Sequence, residues 1–362
     1  MASHPDSLAA GAAVYNRARA LVMKFGWNAV AYQILNPGFA LWLSRADDAV
    51  AGFARCSRRW VVAGAPICER DRLPEIVQQF EADARTDGCR VCYFGAAVRL
   101  YEGCRNPPQH SVVCLGAQPV WNPAGWQKML RRRSSVRAQI HRARNKSVVA
   151  DHCPNPDDAL IARMQAVLNA WIAHRHMPPM HFLVEPETLH RLEDRRVFLA
   201  TQGGCLVGFL IASPIPARGG WLVEQIIRRP DAPNGTNELL VHTAMVTFAA
   251  EHCPYVTLGL VPLSSRVPAD GPANPLWLKI LFAWVRAHGR RFYNFQGLEN
   301  FKSKFQPDQW EPIYAIATEP RFSFRTLWSI AAAFSHNNSP LVHCFRALGM
   351  AIREEFGRMI GR

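Results

Sequence analysis

The chain has 362 residues, 49% of them apolar, which is ample for a large core and comfortable for two. Its 42 Lys and Arg outnumber 28 Asp and Glu, a net charge of +14 that favours an anionic partner such as nucleic acid, a phosphorylated ligand or an acidic membrane. No run reaches the ~18 apolar residues that a membrane-crossing helix needs, and Met1–Ala10 lacks the charged start and apolar core of a signal peptide, so a cytoplasmic protein is expected.

Taken in order, residues 8–24 read as an amphipathic helix with basic residues on one side. Three short strands follow at Phe39–Ser44, Val50–Arg55 and Trp60–Gly64. Arg70–Asp87 is predicted helical, with Leu73, Ile76, Val77, Phe80 and Ala84 at helical spacing, and Gly88 stops it before a strand at Arg90–Ala96. The ten cysteines are spread singly through apolar runs. Cys89 and Cys92 form a C-x-x-C within strand-like sequence, where positions three apart face opposite ways; no metal site is expected, and the cysteines read as reduced core thiols.

Between Glu102 and Asp151 there is no acidic residue, while Lys128–Lys146 holds eight Lys or Arg. The pattern Trp126–Asn145 predicts one helix with Met129, Leu130, Val136 and Ile140 facing a core. Its basic face reads either as solvated surface or as a contact for tRNA or phosphate through Arg131, Arg132, Arg133, Arg137, Arg142, Arg144 and Lys146. The missing i,i+4 carboxylates and the fork geometry of arginine favour the second.

The early order then repeats: strands at Val197–Thr201, Cys205–Ser213 and Trp221–Ile227, a helix at Gly235–His252 and a strand at Tyr255–Leu260. Three meandering strands, a helix and a parallel strand resemble the Gcn5-type acetyltransferase fold. The expected class is therefore α/β (α+β), with tandem acetyltransferase-like lobes, each a mixed sheet flanked by helices. The expected division is 1–125 for the first lobe, 126–320 for the basic helix plus a catalytic lobe, and 321–362 for a basic helical tail. A helix at Asn274–His288, a strand at Arg291–Phe295, a short helix at Gly297–Phe305 and a last strand after Trp310 complete the second lobe. The tail reads as two amphipathic helical segments that pack on the body or lie on an anionic bilayer.

The turn R-R-P-D-A-P-N-G-T-N-E places Arg228, Arg229, Asp231, Asn234 and Glu238 within eleven residues at the start of a helix, where backbone N–H groups favour anions. Alone it reads equally as a capped surface loop. Together with L-G-L-V-P-L-S (Leu258–Ser264), Y-N-F-Q-G-L-E-N-F-K-S-K-F (Tyr293–Phe305), W-E-P-I-Y (Trp310–Tyr314) and S-V-R-A-Q-I-H-R-A-R-N-K (Ser135–Lys146), it resembles the soluble catalytic domain of aminoacyl-phosphatidylglycerol synthases, the multiple peptide resistance factors. The resemblance runs from about Lys24 to Ala317. Three departures stand out: Glu238 replaces the family's usual Asp, Ile313 replaces an Arg, and the Q-P-D-Q spacer before Trp310 is one residue longer. The family's membrane-spanning flippase half has no counterpart in this sequence, so a lipid product would need another protein to flip it, or the acceptor is not a membrane lipid.

The resemblance implies transfer of an amino acid from tRNA to a hydroxyl of phosphatidylglycerol, with aminoacyl-tRNA as co-substrate and neither cofactor nor metal. Aminoacyl-tRNA and an anionic phospholipid surface are then the partners, with the protein peripheral at the inner face of the membrane. Glu238 is the candidate base or α-amine ligand, with Lys304 and Arg228 beside it as catalytic residues. Arg229, Asn234, Ser264, Lys302 and Glu311 are the candidate substrate contacts: Arg229 for phosphate or oxyanion, Asn234 and Ser264 as donors to the carbonyl, Lys302 for a phosphate or the tRNA 3′ end, Glu311 for the amino group or a lysine. A soluble acceptor, an acyl-CoA N-acyltransferase and a basic binding module are the competing readings.

Overall fold

The structure is a computed structural model that describes residues 5–104, 109–174, 181–267, 272–288 and 295–335. The chain opens with α1 (Pro5–Phe25), then β1 (Ala40–Leu43), β2 (Val50–Cys56), β3 (Arg59–Ala63), α2 (Leu73–Thr86) and β4 (Arg90–Ala96). Next come α3 (Val98–Gly103), β5 (Ser111–Trp121), α4 (Trp126–Arg132), α5 (Ser134–Asn145), β6 (Val148–Cys153) and α6 (Asp158–Ala173). The remainder is β7 (Arg196–Gln202), β8 (Cys205–Ile215), β9 (Gly220–Arg228), α7 (Thr236–Ala250), β10 (Tyr255–Thr257), β11 (Val261–Pro262), α8 (Leu276–His288), α9 (Phe295–Ser303), β12 (Gln309–Ala317) and α10 (Phe324–Phe334).

These strands form one mixed sheet in the order β1-β2-β3-β4-β12-β5-β10-β9-β8-β7-β6, with β11 on β5 and helices on its faces. The strand-helix-strand passages foreseen from sequence are present: β4 is parallel to β3 across α2, and β10 is parallel to β9 across α7. The apolar positions read on α2 are all buried. β12 inserts between β4 and β5, so a late stretch of chain completes the sheet of the early one. Arg195 and Glu224 form a buried ion pair, and the carboxylate also accepts from Gln33 and Asn36, which ties the segment before β1 to β9.

β5 is the strand that sequence reading passed over. It pairs with β12 on one side and with β11 and β10 on the other. Gly116 and Pro119 interrupt its strand pattern, and both are explained by close neighbours. A Cβ at Gly116 would sit 2.2 Å from the carbonyl oxygen of Val261, and the carbonyl of Pro119 accepts from the Thr257 hydroxyl.

The single helix expected over Trp126–Asn145 is two. The break falls at Arg133 (φ −113°, ψ 83°), and the Arg137 guanidinium donates to the carbonyls of Leu130 and Arg131, satisfying the end of α4. The bend lets both helices bury their apolar sides: Met129, Leu130, Val136 and Ile140 all join the core around α7. α7 is apolar nearly all round because it lies between the sheet and α5. The strand expected at Arg291–Phe295 falls outside the described residues except for Phe295, which opens α9. The tail's first segment, α10, packs its Ile330 and Ala333 onto the body; the second lies outside the described residues.

Burial pushes the Cys92 and Cys104 thiols up to about 12 and those of Cys56 and Cys68 up to about 11, the behaviour of inert core cysteines. Cys89 sits in the turn before β4 and only Cys92 is in the strand. Among the described residues no group of three His, Cys, Asp or Glu is placed to hold a metal ion, and no helix is long and apolar enough to cross a membrane.

Candidate active site at the opening of the sheet

β10 accompanies β9 only over Gly220–Leu222; beyond that, β9 runs on to Arg228 with no partner on that side among the described residues. Lys302 explains where β10 stops. Its buried ammonium donates to the carbonyls of Leu258, Gly259 and Leu260 at 2.6, 3.0 and 3.1 Å. Carbonyls turned toward Lys302 cannot continue the ladder with β9, so the sheet stays open. Burial pushes this amine down to about 7, against three acceptors that favour the charged form. Lys302, expected to meet a phosphate or the tRNA end, is therefore spent inside the fold.

Its near neighbour has the opposite fate. Lys304 follows α9, part-exposed, and its Nζ lies 2.5 Å from Oε1 of Glu238 in the first turn of α7. The ammonium also sits 3.9 Å from the ring centroid of Phe301 and 5.0 Å from that of Phe305, rings that limit where it can move. Glu238 and Lys304, named as catalytic from sequence, are thus brought together from positions 66 apart in the chain.

α7 begins with Gly235 at φ +95°, where a Cβ would stand 2.0 Å from the carbonyl oxygen of Gln139 in α5. That contact seats the basic helix against the helix start that carries Glu238. Arg131 and Arg132 on α4, and Arg142, Arg144 and Lys146 at the end of α5, are exposed and make no ion pair among the described residues. Arg137 caps α4, and Arg133 faces the Gln306 amide oxygen at 3.0 Å once that amide is oriented to accept. Two of the seven basic candidates are thereby held by protein groups, and five have no ion-pair partner among the described residues.

The other candidates distribute unevenly. Arg228 donates to the carbonyl of Ala232 at 2.7 Å, and Arg229 forks onto Asp231 at 2.9 Å, so both close their own turn rather than converge on Glu238. Asn234 is exposed beside them. Ser264 is buried, its oxygen accepting from the backbone of Arg266. Glu311 is the clearest departure. It pairs with Arg218 at 2.8 Å and accepts from Gln118 and Tyr255 at 2.9 Å each, while the Arg218 guanidinium lies between Trp27 and Tyr255 at 3.5 and 4.4 Å. Glu311 is in register with Gln118, two residues from Val120, which packs with Tyr255, Ala29 and Ile215; the neighbouring Trp121 packs with α7. Strand alternation therefore puts Glu311 on the face of the sheet opposite Glu238 and Lys304. It reads neither a lysine nor the Glu238 side of the opening.

Two residues were not singled out from sequence. His242 lies one turn along α7 from Glu238; its Nδ1 accepts from the Trp126 indole at 3.0 Å, which leaves Nε2 to carry the proton of the neutral ring. Burial, aided by Arg144, lowers its pKa. Asn237, beside Glu238, has a buried Oδ1 with no hydrogen-bond partner among the described residues. The spacing Glu238–His242 was legible as one helix face; the orphan oxygen of Asn237 was not.

The fold and this opening define a mixed α/β protein whose polar site lies where two parallel strands part, under a basic helix. Residues 19–317 match the family model described as phosphatidylglycerol lysyltransferase, C-terminal, and the chain belongs to that family. It is 22% identical over 304 residues to a phosphatidylglycerol lysyltransferase of Bacillus subtilis and 18% identical over 325 residues to one of Staphylococcus xylosus. Those alignments cover 82% and 88% of this chain but 34% and 37% of the relatives, so the chain spans about a third of their length. Among solved structures, the C-terminal domain of a putative lysylphosphatidylglycerol synthetase from Agrobacterium fabrum superposes with a TM-score of 0.75 at 21% identity, covering 90% of this chain and 98% of that one. The L-PGS of Bacillus licheniformis gives 0.73 at 18%, with coverages of 88% and 95%.

Proposed function

We propose that this chain is an aminoacyl-tRNA-dependent aminoacyltransferase that moves an amino acid to a hydroxyl of phosphatidylglycerol or a related lipid. Family membership supports the general class. The observation that carries the site is the Glu238–Lys304 pair at the sheet's opening, at the start of the helix against which the basic α5 is seated. In this reading 1–125 and 126–320 are acetyltransferase-like lobes, the second lending β12 to the sheet of the first, and 321–362 is an appended tail. The protein works at the cytoplasmic face of the membrane.

The ester that links an amino acid to tRNA is already activated, so the transfer consumes no ATP. The acceptor oxygen forms a new ester bond to the carbonyl carbon while the bond to the ribose oxygen breaks. Glu238 takes the proton from the acceptor hydroxyl, and Lys304 stands ready to return one to the departing ribose oxygen. Fixing both reactants in the opening supplies much of the remaining rate. Arg142, Arg144 and Lys146 meet the phosphates of the tRNA acceptor end. Arg228 and Arg229 act by holding the turn that carries α7.

The deciding experiment mixes the purified chain with labelled aminoacyl-tRNAs and phosphatidylglycerol vesicles. Label that becomes lipid-extractable, and that RNase pretreatment abolishes, supports the proposal. Transfer only to a soluble amine or alcohol moves the acceptor, and turnover of an acyl-CoA without discharge of any tRNA overturns the tRNA donor.

A further inference from the structure

Two helices present large apolar side chains to solvent. On α8, Leu276, Ile280 and Trp284 recur every fourth residue and are 74%, 62% and 58% exposed; on α10, Phe324 and Trp328 are 66% and 46% exposed. Single exposed apolar residues are ordinary, but rows of them on adjoining helices mark an interaction surface. The two helices meet where the Trp277 and Phe324 rings approach to 4.1 Å.

These faces are held in place rather than loosely attached. Asn274, just before α8, donates to the carbonyl of Cys114 and accepts from its N–H at 2.9 and 2.7 Å, imitating a strand pairing with β5. Leu278 is wholly buried on the opposite side of α8, and Arg286 near its end donates to the carbonyl of Leu263. α10 is capped by Ser323, and Glu319 accepts from both Ser323 and Thr326.

The surroundings are basic. Neither helix contains an acidic residue, and Lys279 and Arg325 are exposed along them. Beside Phe324 lies an open recess of about 510 Å³ lined by Arg59, Arg90, Arg321, Arg325 and a single carboxylate, Glu319. Glu319 is already bonded by Arg59 at 2.7 Å and Arg90 at 3.1 Å, whereas Arg321 and Arg325 make no ion pair among the described residues. An apolar row flanked by unneutralised arginines suits a layer with anions outside and hydrocarbon within.

We propose that the α8–α10 face docks on an anionic phospholipid bilayer, with Leu276, Ile280, Phe324 and Trp328 entering the interface and Arg321 and Arg325 meeting lipid phosphates around the recess. This rests on the reading of a lipid acceptor and adds the surface by which the chain reaches it. Another protein surface would not need the arginine recess, and a second copy of this +14 chain would bring like charge against it.

The test is co-sedimentation of the 362-residue chain with phosphatidylglycerol vesicles and with phosphatidylcholine vesicles. The chain should bind the anionic vesicles, and L276E/I280E and F324S/W328S should each weaken binding by about tenfold or more. R321E/R325E should flatten the salt dependence of binding. Melting curves that match the wild type keep the comparison valid, and L276Q/I280Q replaces the glutamates if they do not. Unchanged vesicle binding in both apolar pairs overturns the proposal, as does a solution dimer that L276E/I280E dissolves while vesicles go unbound. Transfer to detergent-dispersed phosphatidylglycerol separates the two readings: variants that lose vesicles but keep this transfer support docking, whereas vesicle binding without any transfer removes the functional reading alone.

Discussion

The molecule contains the same strand-helix-strand passage twice among the described residues, and only one of the two leaves its sheet open. In β3–α2–β4 the parallel strands pair over Arg59–Ala63 and Arg90–Phe94, and β12 covers the far side of β4. In β9–α7–β10 the pairing ends after three residues and β9 runs on alone. The helix starts differ in the same sense. Glu75 in the first turn of α2 bonds Arg72 three residues away on the surface, a local pair screened by solvent. Glu238 in the first turn of α7 reaches Lys304, brought from another element. One path through space closes or opens the sheet according to where the parallel strand stops, and here it stops at the left-handed Gly259 and the carbonyls that a buried lysine holds.

That contrast can be broken most directly at the pair. Glu238→Gln and Lys304→Met should each lower aminoacyl-tRNA discharge by about 10²-fold or more with little change in melting temperature, whereas Glu75→Gln should leave discharge unaltered. Equal rates for all three would return α7 to the status of α2. Next in size is the helix over the opening. R142A/R144A/K146A should weaken tRNA binding and reduce the slope of log affinity against log salt by about 2 to 3; an unchanged slope makes α5 a solvated face.

Gly235→Ala tests how α5 is seated. Its φ and its contact with Gln139 predict a loss of about 1–3 kcal/mol by chemical denaturation. Gly88→Ala, in the turn after α2, has positive φ but no close neighbour and should cost less. A pH dependence tests the wedge. Lys302 has its folded pKa at about 7 against an ordinary 10.5. Between those values the unfolded chain binds a proton that the folded chain does not, so stability from this group rises with pH across that window and is lost as pH falls through 7. Lys302→Met should flatten that part of the stability profile, while Lys304→Met should leave it; melts at pH 6 to 10 compare them.

Much of this arrangement was legible in the residues. Apolar spacing at Leu73, Ile76, Val77, Phe80 and Ala84 described α2, because a helix against a sheet shows its buried stripe as a period. β5 was illegible for the complementary reason: Gly116 and Pro119 answer to Val261 and Thr257, which lie more than a hundred residues away. The bend at Arg133 was hidden because the arginine that caps α4 looks, in sequence, like any other member of a basic run.

The candidate site divides along the same line. Chemistry-bearing residue types, their density in the turn before α7 and the family resemblance were properties of the chain itself, as were the surplus of positive charge and the basic helix. Which of two lysines two apart would face solvent, and which would be buried on three carbonyls, was decided only by the fold. So was the placing of Glu311 across the sheet, where Arg218 neutralises it. Local sequence sets what a side chain can do, through its period and propensity. Partners from distant elements decide what it has left to do it with, because a charge or a carbonyl already satisfied inside the fold is no longer available to a ligand.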